Sequence, residues 1–451
     1  MADPADHAAV QDAAAVHAPA ADAVDDDAPA DGAPAQPDRL SSRRSSDGLR
    51  TGWTTGTCSS VAAKACALLL VDGTAPDEVD VALVRGAGRA TLPVLSCERL
   101  GPDVARAVVV KDAGDDPDVT HGAHITVTLT LRRQAASTGG ATTDAGGAAH
   151  VGAMAADPGT MAADATGPGV TFVAGEGVGT VTRTGLGLEV GGPAVNAGPR
   201  KQIAAALSDV VDLERDGATV EISVPGGNDL AQKTSNPRLG IVGGISILGT
   251  SGIVRPFSSA AWRASVGQAI DVMHAQGMGT AVLTTGGRSE RFARRLLPEL
   301  DPVCFIEVGD FIGYSLKRAR TLGLDEVVMV GMAGKLAKVA AGELMTHSAR
   351  SKVDPAFLAD LTRAAGGDEA LAAEVATVRT ARHAFELWEA HGLTRATDLL
   401  CGHAEDTMAG YIKGALPVRV VLTDFAAERV AGRSPQAVAL ASRELAPPPV
   451  D

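Results

Sequence analysis

The stretch Lys233–Pro256 reads KTSNPRLGIVGGISILGTSGIVRP, and its reading decides how the rest of the chain is divided. Asn236 and Pro237 form a turn signal that starts a new element. LGIV is a short apolar run, Gly243 and Gly244 break it, ISIL resumes it, and GTSG closes it with Gly249 and Gly252 spaced for a tight turn. A β-branched run ending in a glycine- and hydroxyl-rich turn predicts the first strand of a nucleotide-type α/β domain. In such a turn bare backbone N–H groups can face an anionic or polar ligand. The same residues also suit an ordinary strand–turn–helix junction whose glycines only permit positive φ.

Beyond this stretch strands alternate with helices. Ser258 and Ser259 cap a predicted helix with Trp262, Val266, Ile270 and Met273 on one face, ended by Gly277. TAVLTTGG (280–287), VCFIEV (303–308) and EVVMVGMAG (326–334) read as strands, and a helix predicted to be capped by Asp310 ends at Gly323. A last strand is predicted at VRVVLTDF (418–425). Residues 236–451 are therefore expected to form an α/β domain with a mainly parallel, Rossmann-like open sheet. Ligands collect at the carboxyl ends of such strands, here the loops 249–252, 285–287 and 331–334.

Before the stretch, residues 48–235 read as an α+β domain. TTGT at 54–57 opens a helix, and short alternating runs at 79–84, 90–94, 105–110 and 124–131 predict strands. GEGVGTVTRTGL leads to a helix starting near Pro199, and TVEISVPGG (219–227) closes this half. Residues 1–47 are Ala, Asp and Pro with almost no large apolar side chain, which predicts a disordered acidic tail. Residues 134–168 lack periodicity and are expected to be a flexible insertion.

A length of 451 residues suits about three domains, or two large ones with tails. The net charge is −14, but residues 1–47 hold ten Asp against three Arg, so half of the excess lies in the tail. The rest has no basic run with interleaved aromatics, which argues against nucleic-acid binding, and its acidity argues against a membrane surface. The five cysteines are scattered without a CxxC pair, which excludes a disulfide framework and argues against structural zinc. No run of 18 apolar residues and no apolar leader is found, so a cytoplasmic location is expected.

GMAGKL (331–336) fails the P-loop pattern, because the glycine spacing is too short and Leu336 stands where Ser or Thr would hold magnesium. KDAGDDPDVTHG gathers Asp112, Asp115, Asp116, Asp118 and His121 at one strand end. It lacks the closing Glu of a calcium loop, so no protein metal site is expected. A solvated acidic turn is the plain reading; an active-site loop is the other, with His121 best suited to proton transfer near neutrality and Asp112 and Asp115 beside it. Arg200, Lys201, Arg238, Arg255 and Lys335 each adjoin a Gly/Pro loop, a placement suited to gripping several carboxylates of a ligand, and His347 can face the same cleft.

The blocks TGWTTGTCSSVAAKAC, VVVKDAGDDPDVTHGA, GEGVGTVTRTGL, ISVPGG, KTSNPRLGIVGGISILGTSGIVRP and GKLAKVAAGELMTHS resemble, in this order, the signature blocks of the CbiD family. These are the cobalt-precorrin-5B C-1-methyltransferases of anaerobic cobalamin biosynthesis, and the resemblance spans about residues 48–425. It implies that S-adenosylmethionine donates a methyl group to C-1 of a cobalt tetrapyrrole, giving cobalt-precorrin-6A. The adenosyl group would suit the glycine turns Gly243, Gly244, Gly249, Thr250, Gly252, Thr285 and Gly286, and the carboxylate arms of the macrocycle the basic residues above. The cobalt arrives within the substrate. The resemblance leaves open a homo-oligomer and transient contacts with neighbouring pathway enzymes. Met332 departs from the family's GHxGK-like stretch, where a His is expected. Two other classes compete: a nicotinamide-dependent reductase, which lacks the GxGxxG fingerprint, and a non-catalytic tetrapyrrole carrier.

Overall fold

The computed structural model describes residues 44, 48–133, 164–165, 169–347 and 351–447. The acidic tail over 1–47 and the insertion over 134–168 fall outside the described residues, save for 44 and 164–165.

The N-terminal half is built around the helix Thr55–Asp72. Thr54 caps it, its hydroxyl accepting from the Thr57 N–H at 3.2 Å, and Gly73 ends it with φ 79°. Its side chains are small, mostly Ala, Cys, Ser and Val, so it can be buried almost all round. It packs on a six-stranded sheet ordered Ser96–Gly101, Val104–Val110, His124–Arg132, Gly217–Ser223, Val170–Ala174, Asp164–Ala165. All neighbours are antiparallel except Gly217–Ser223 beside Val170–Ala174. Alternation puts Ala105, Ala107 and Val109, then Ile125, Val127, Leu129 and Leu131, on the buried face. The strand Ser96–Gly101 was not expected: SCERLG is polar because it is an exposed edge, held by its pairing rather than by a core face.

The C-terminal half holds a five-stranded sheet ordered Phe305–Glu307, Thr280–Thr284, Glu326–Gly331, Val418–Thr423, Val430–Arg433. The first four are mutually parallel and the last is an antiparallel edge. The helices Ser259–Ala275, Gly287–Leu296, Ile312–Leu322 and Ala333–Ala340 alternate with the strands. From Thr280–Thr284 the chain moves to one side for Phe305–Glu307, then crosses to the other for Glu326–Gly331. That reversal opens a crevice at the carboxyl ends of the strands. Four further helices between Pro355 and Tyr411 complete this core, with Trp388 buried and its indole N–H donating to Thr362 Oγ1 at 2.8 Å. Among the described residues no helix is long and apolar enough to cross a membrane.

The stretch 233–256 is not the first strand of that sheet. Ile241–Val242 pairs antiparallel with Thr180–Val181, and Ile253–Val254 with Gly52–Trp53. Its two apolar runs go to different cores: Leu239 and Ile241 to the C-terminal one, Ile245 and Ile247 to the N-terminal one. Gly243 and Gly244 cut each run too short to span a sheet, so the segment threads between the halves. Loop 249–252 accordingly leaves no parallel strand. Two smaller expectations also change. Trp262 lies off the buried stripe of its helix, 49% exposed, while Val266, Ile270 and Met273 are buried. Asp310 does not cap the helix Ile312–Leu322, because its carboxylate is taken by Lys335 and Thr346.

Candidate active site

The carboxyl edge of the parallel sheet brings together residues from four separate loops. Thr285 and Gly286 follow the strand Thr280–Thr284 and turn into the helix Gly287–Leu296. Ser289 Oγ fixes this turn by accepting from the Thr285 and Gly286 N–H groups at 3.0 and 3.1 Å. Lys335 Nζ crosses from the neighbouring helix to the Thr285 carbonyl at 3.2 Å and to Asp310 Oδ1 at 3.1 Å. Thr346 Oγ1 donates to the same Asp310 oxygen at 2.9 Å, and Lys338 Nζ holds the Thr346 carbonyl at 2.8 Å. His347 follows on the exposed side. Burial alone would raise the Asp310 carboxyl; Lys335 and Thr346, with His347 adding, hold it below the usual range.

Glu307 ends the adjacent strand, half-buried, and its Oε1 would stand 3.9 Å from a Cβ built on Gly286. Burial, and then the negative charge of Glu290, push its carboxyl up, against the pull of Arg238 and Lys335. Sequence reasoning missed this residue, although an acid closing the apolar run CFIE was a readable signal.

Along the helix Gly287–Leu296 runs a groove of about 530 Å³ lined by Arg183, Arg238, Arg291 and Arg294, with Glu290, Pro237 and Pro302. Glu290 is buried and clamps Arg238 at 2.8 Å and Arg294 at 2.9 Å. Of the expected basic residues, Arg238 and Lys335 thus flank Glu307. The arginine spacing in RSERFARR was the signal for Arg291 and Arg294. Arg200 lies elsewhere: it is 4% exposed, donates to the Val195 and Pro193 carbonyls at 2.6 and 3.3 Å, and lies over the Phe172 ring. It is buried and holds the loop 193–195. Lys201 and Arg255 are exposed.

The acidic loop is an ordered unit. Lys111, almost fully buried, donates to Asp118 at 2.6 Å, and Asp118 also accepts from the Thr120 N–H and hydroxyl. Burial would raise the Asp118 carboxyl, but Lys111 and Thr120 outweigh it and hold it low. Arg50 binds Asp112 through its guanidinium and Asp115 through its N–H, at 2.7 Å for the latter. The Arg50 hydrogen bond, opposed by burial, keeps the Asp112 carboxyl below the usual range. His121 Nδ1 accepts from the Ala113 N–H at 3.1 Å. The neutral ring therefore carries its proton on Nε2, so for the proton transfer expected of it from the sequence it offers a donor. Among the described residues no group of His, Cys, Asp and Glu could hold a metal ion.

Of the other glycines expected to face a cofactor, Gly244, Gly249 and Gly252 serve packing in this structure. A Cβ on Gly244 would lie 2.2 Å from the Gly177 carbonyl group, and one on Gly249 2.5 Å from Thr54 Oγ1. The Gly252 carbonyl accepts from the Thr57 hydroxyl and the Thr54 N–H, which seats loop 249–252 on the start of helix Thr55–Asp72. Gly243 and Thr250 are exposed. The seven residues are thus not one cradle. Only Thr285 and Gly286 lie at the sheet edge.

Two family models match the chain, CbiD over residues 42–256 and the CbiD C-terminal domain over 345–434. A cobalt-precorrin-5B C(1)-methyltransferase of Rubrobacter xylanophilus is 51% identical over 394 residues, covering 87% of this chain and 93% of that protein. One from Salinispora arenicola is 52% identical over 387 residues, covering 86% and 93%. The crystal structure of the cobalamin biosynthesis protein CbiD of Archaeoglobus fulgidus is 27% identical, covers 66% of this chain and 81% of its own, and gives a TM-score of 0.32. With identity this high over nearly the full length of the curated relatives, the chain belongs to the CbiD family.

Proposed function

We propose that this chain is a cytoplasmic cobalt-precorrin-5B C(1)-methyltransferase that uses S-adenosylmethionine, with the C-terminal sheet acting as a Rossmann-like donor-binding unit. The activity rests on family membership and on the names of the relatives. The observation that supports the placement of the donor is Glu307. It is a half-buried carboxylate without a side-chain partner among the described residues, beside the Gly286 turn and the crevice where the strand order reverses. It also lies about twenty residues beyond that turn, the spacing at which dinucleotide folds place their ribose-binding acid.

When bound, the donor supplies an electrophilic methyl group on a sulfonium. The protein's share is positioning and exclusion of water rather than proton transfer. Glu307 accepts hydrogen bonds from the ribose hydroxyls, and the bare Gly286 leaves room for the adenosyl group. Lys335, fixed by Asp310 and the Thr285 carbonyl, holds the rim of the crevice in one geometry, with His347 beside it. Arg238 and the neighbouring arginines bind carboxylate arms of the macrocycle, joined by the exposed Arg255 and Lys201. Asp112 and Asp115 hold the acidic loop through Arg50, and His121 donates from Nε2 toward the substrate.

The test is anaerobic transfer of labelled methyl from S-adenosylmethionine to cobalt-precorrin-5B, read by mass spectrometry. Label at C-1 is the expected result. Macrocycle binding without transfer would favour a carrier, and absence of both would overturn the reading.

A further inference from the structure

In a chain with only 3% aromatic residues, two large rings stand exposed five positions apart. Phe257 is 71% exposed and Trp262 49%, while the other tryptophans, Trp53 and Trp388, are buried at 6% and 1%. Phe257 precedes the helix cap Ser258 and Trp262 lies in the first turn, the positions at which a hydrophobic staple packs two side chains together. Exposures this high mean that neither ring is covered by the other, so a staple does not account for them.

Phe257 is also fixed in an unusual way. Its φ is 55°, a left-handed conformation that a bulky residue seldom adopts, and its N–H donates to Asp116 Oδ1 at 2.9 Å. The acidic loop of the N-terminal half thus holds the backbone from which the solvent-facing phenyl ring of Phe257 projects. Trp262 leans the other way: a Cβ on Gly309 would stand 3.2 Å from its indole nitrogen, which sets the indole against the turn that follows Glu307. The two residues therefore link the acidic loop, through the Phe257 N–H, to the carboxyl edge of the sheet, through the Trp262 indole. Arg255, two residues before Phe257, is exposed.

We propose that Phe257 and Trp262 form an aromatic ledge on which the flat tetrapyrrole lies, and that Asp116 is the positioning residue that orients Phe257. This rests on the function proposed above. The occupant follows from shape and charge: stacking suits flat rings against an extended planar macrocycle, and the exposed Arg255, two residues from Phe257, supplies a charge complementary to its carboxylate arms. Asp116 is thereby given a role apart from Asp112 and Asp115, which Arg50 engages.

Trp262, the exposed one of the three tryptophans, is a built-in reporter. Cobalt-precorrin-5B added anaerobically to the full chain should quench its emission, whereas S-adenosylmethionine alone should not. Trp262→Phe should lose the quench yet keep binding, measured by equilibrium dialysis. Phe257→Ala should weaken macrocycle binding about tenfold, a usual cost of losing one stacking ring, with the methyl-donor Kd unchanged. Asp116→Ala should weaken it similarly, and Asp116→Asn, which keeps an oxygen acceptor, should restore it. Undiminished binding by both Phe257→Ala and Trp262→Ala would overturn the ledge while methyl transfer by the parent chain still stood. A shift in sedimentation of Phe257→Ala with binding unchanged would assign the rings to a contact between copies, and would also overturn it. A parent chain that neither binds the macrocycle nor methylates it would remove the function first.

Discussion

Glu307 shows how much a single side chain's surroundings decide. A carboxyl on an exposed strand end would be an ordinary solvated charge, but here burial and Glu290 oppose its ionisation while Arg238 and Lys335 favour it. An acid in that balance gains from any ligand hydroxyl that replaces the water it has lost. Glu307→Gln removes the charge and keeps the shape. It should raise the Kd for S-adenosylmethionine roughly 10- to 100-fold, the range for a hydrogen bond to a charged group. Calorimetric titration would measure this, and an unchanged Kd would exclude Glu307 from the donor site. His121 illustrates what a sequence cannot carry. Its type suits proton transfer in either direction, yet the Ala113 N–H occupies one ring nitrogen and leaves the other as a donor. A tautomer is set by a backbone neighbour that no spacing rule reveals.

At the level of elements, the paired glycines separate into two kinds. Gly244 lets two backbones touch, since a Cβ there would sit 2.2 Å from the Gly177 carbonyl group. Gly286 has φ 163°, extended backbone open to any residue, and a Cβ there meets nothing closer than Glu307 Oε1 at 3.9 Å. Gly244→Ala should therefore cost about 3 kcal/mol of stability by overpacking. Gly286→Ala should melt like the parent chain but bind the methyl donor more weakly. Thermal melts and donor titrations on both variants check this; the reverse pattern would return Gly244 to the donor site. The strands and helices of the C-terminal half were legible because apolar runs of four to six residues ending in Gly or Thr turns alternate with helix-period segments. The placement of 233–256 was not legible, because ISIL looks the same whether it joins a parallel sheet or bridges Gly177 and Ala194 across a gap. The edge strand Ser96–Gly101 brings only Cys97 against the core and so left no periodic signal.

Across the whole molecule, acid stability depends on carboxylates held low in the fold. Asp112, Asp118 and Asp310 all lie below their ordinary value near 3.8. Their contribution is fully present above that value and is lost as the pH falls through their folded values. Glu307 has the opposite sign: its raised value means that its contribution is present below the ordinary carboxylate range and declines as the pH rises through the folded value. Asp118→Asn leaves the buried Lys111 without its counter-charge and should cost about 3 kcal/mol at neutral pH, with the loss shrinking toward pH 3. Urea unfolding of both proteins across pH 3–7 would show this as converging curves, and parallel curves would exclude the pair as the source.

The segment that threads between the halves has a consequence for how the polypeptide can be divided. A cut at the exposed Gly243 would leave Leu239 and Ile241 on one fragment and Ile245 and Ile247 on the other. The first fragment would then carry Leu239 and Ile241, together with Val181, Leu186 and Ala194, all belonging to its partner's interior, and lack two of its own. Neither piece would be self-sufficient, and the two would recover shape only by reassociating. The connection works as a suture rather than a tether, so the two halves are held to one another by the same residues that close each of them.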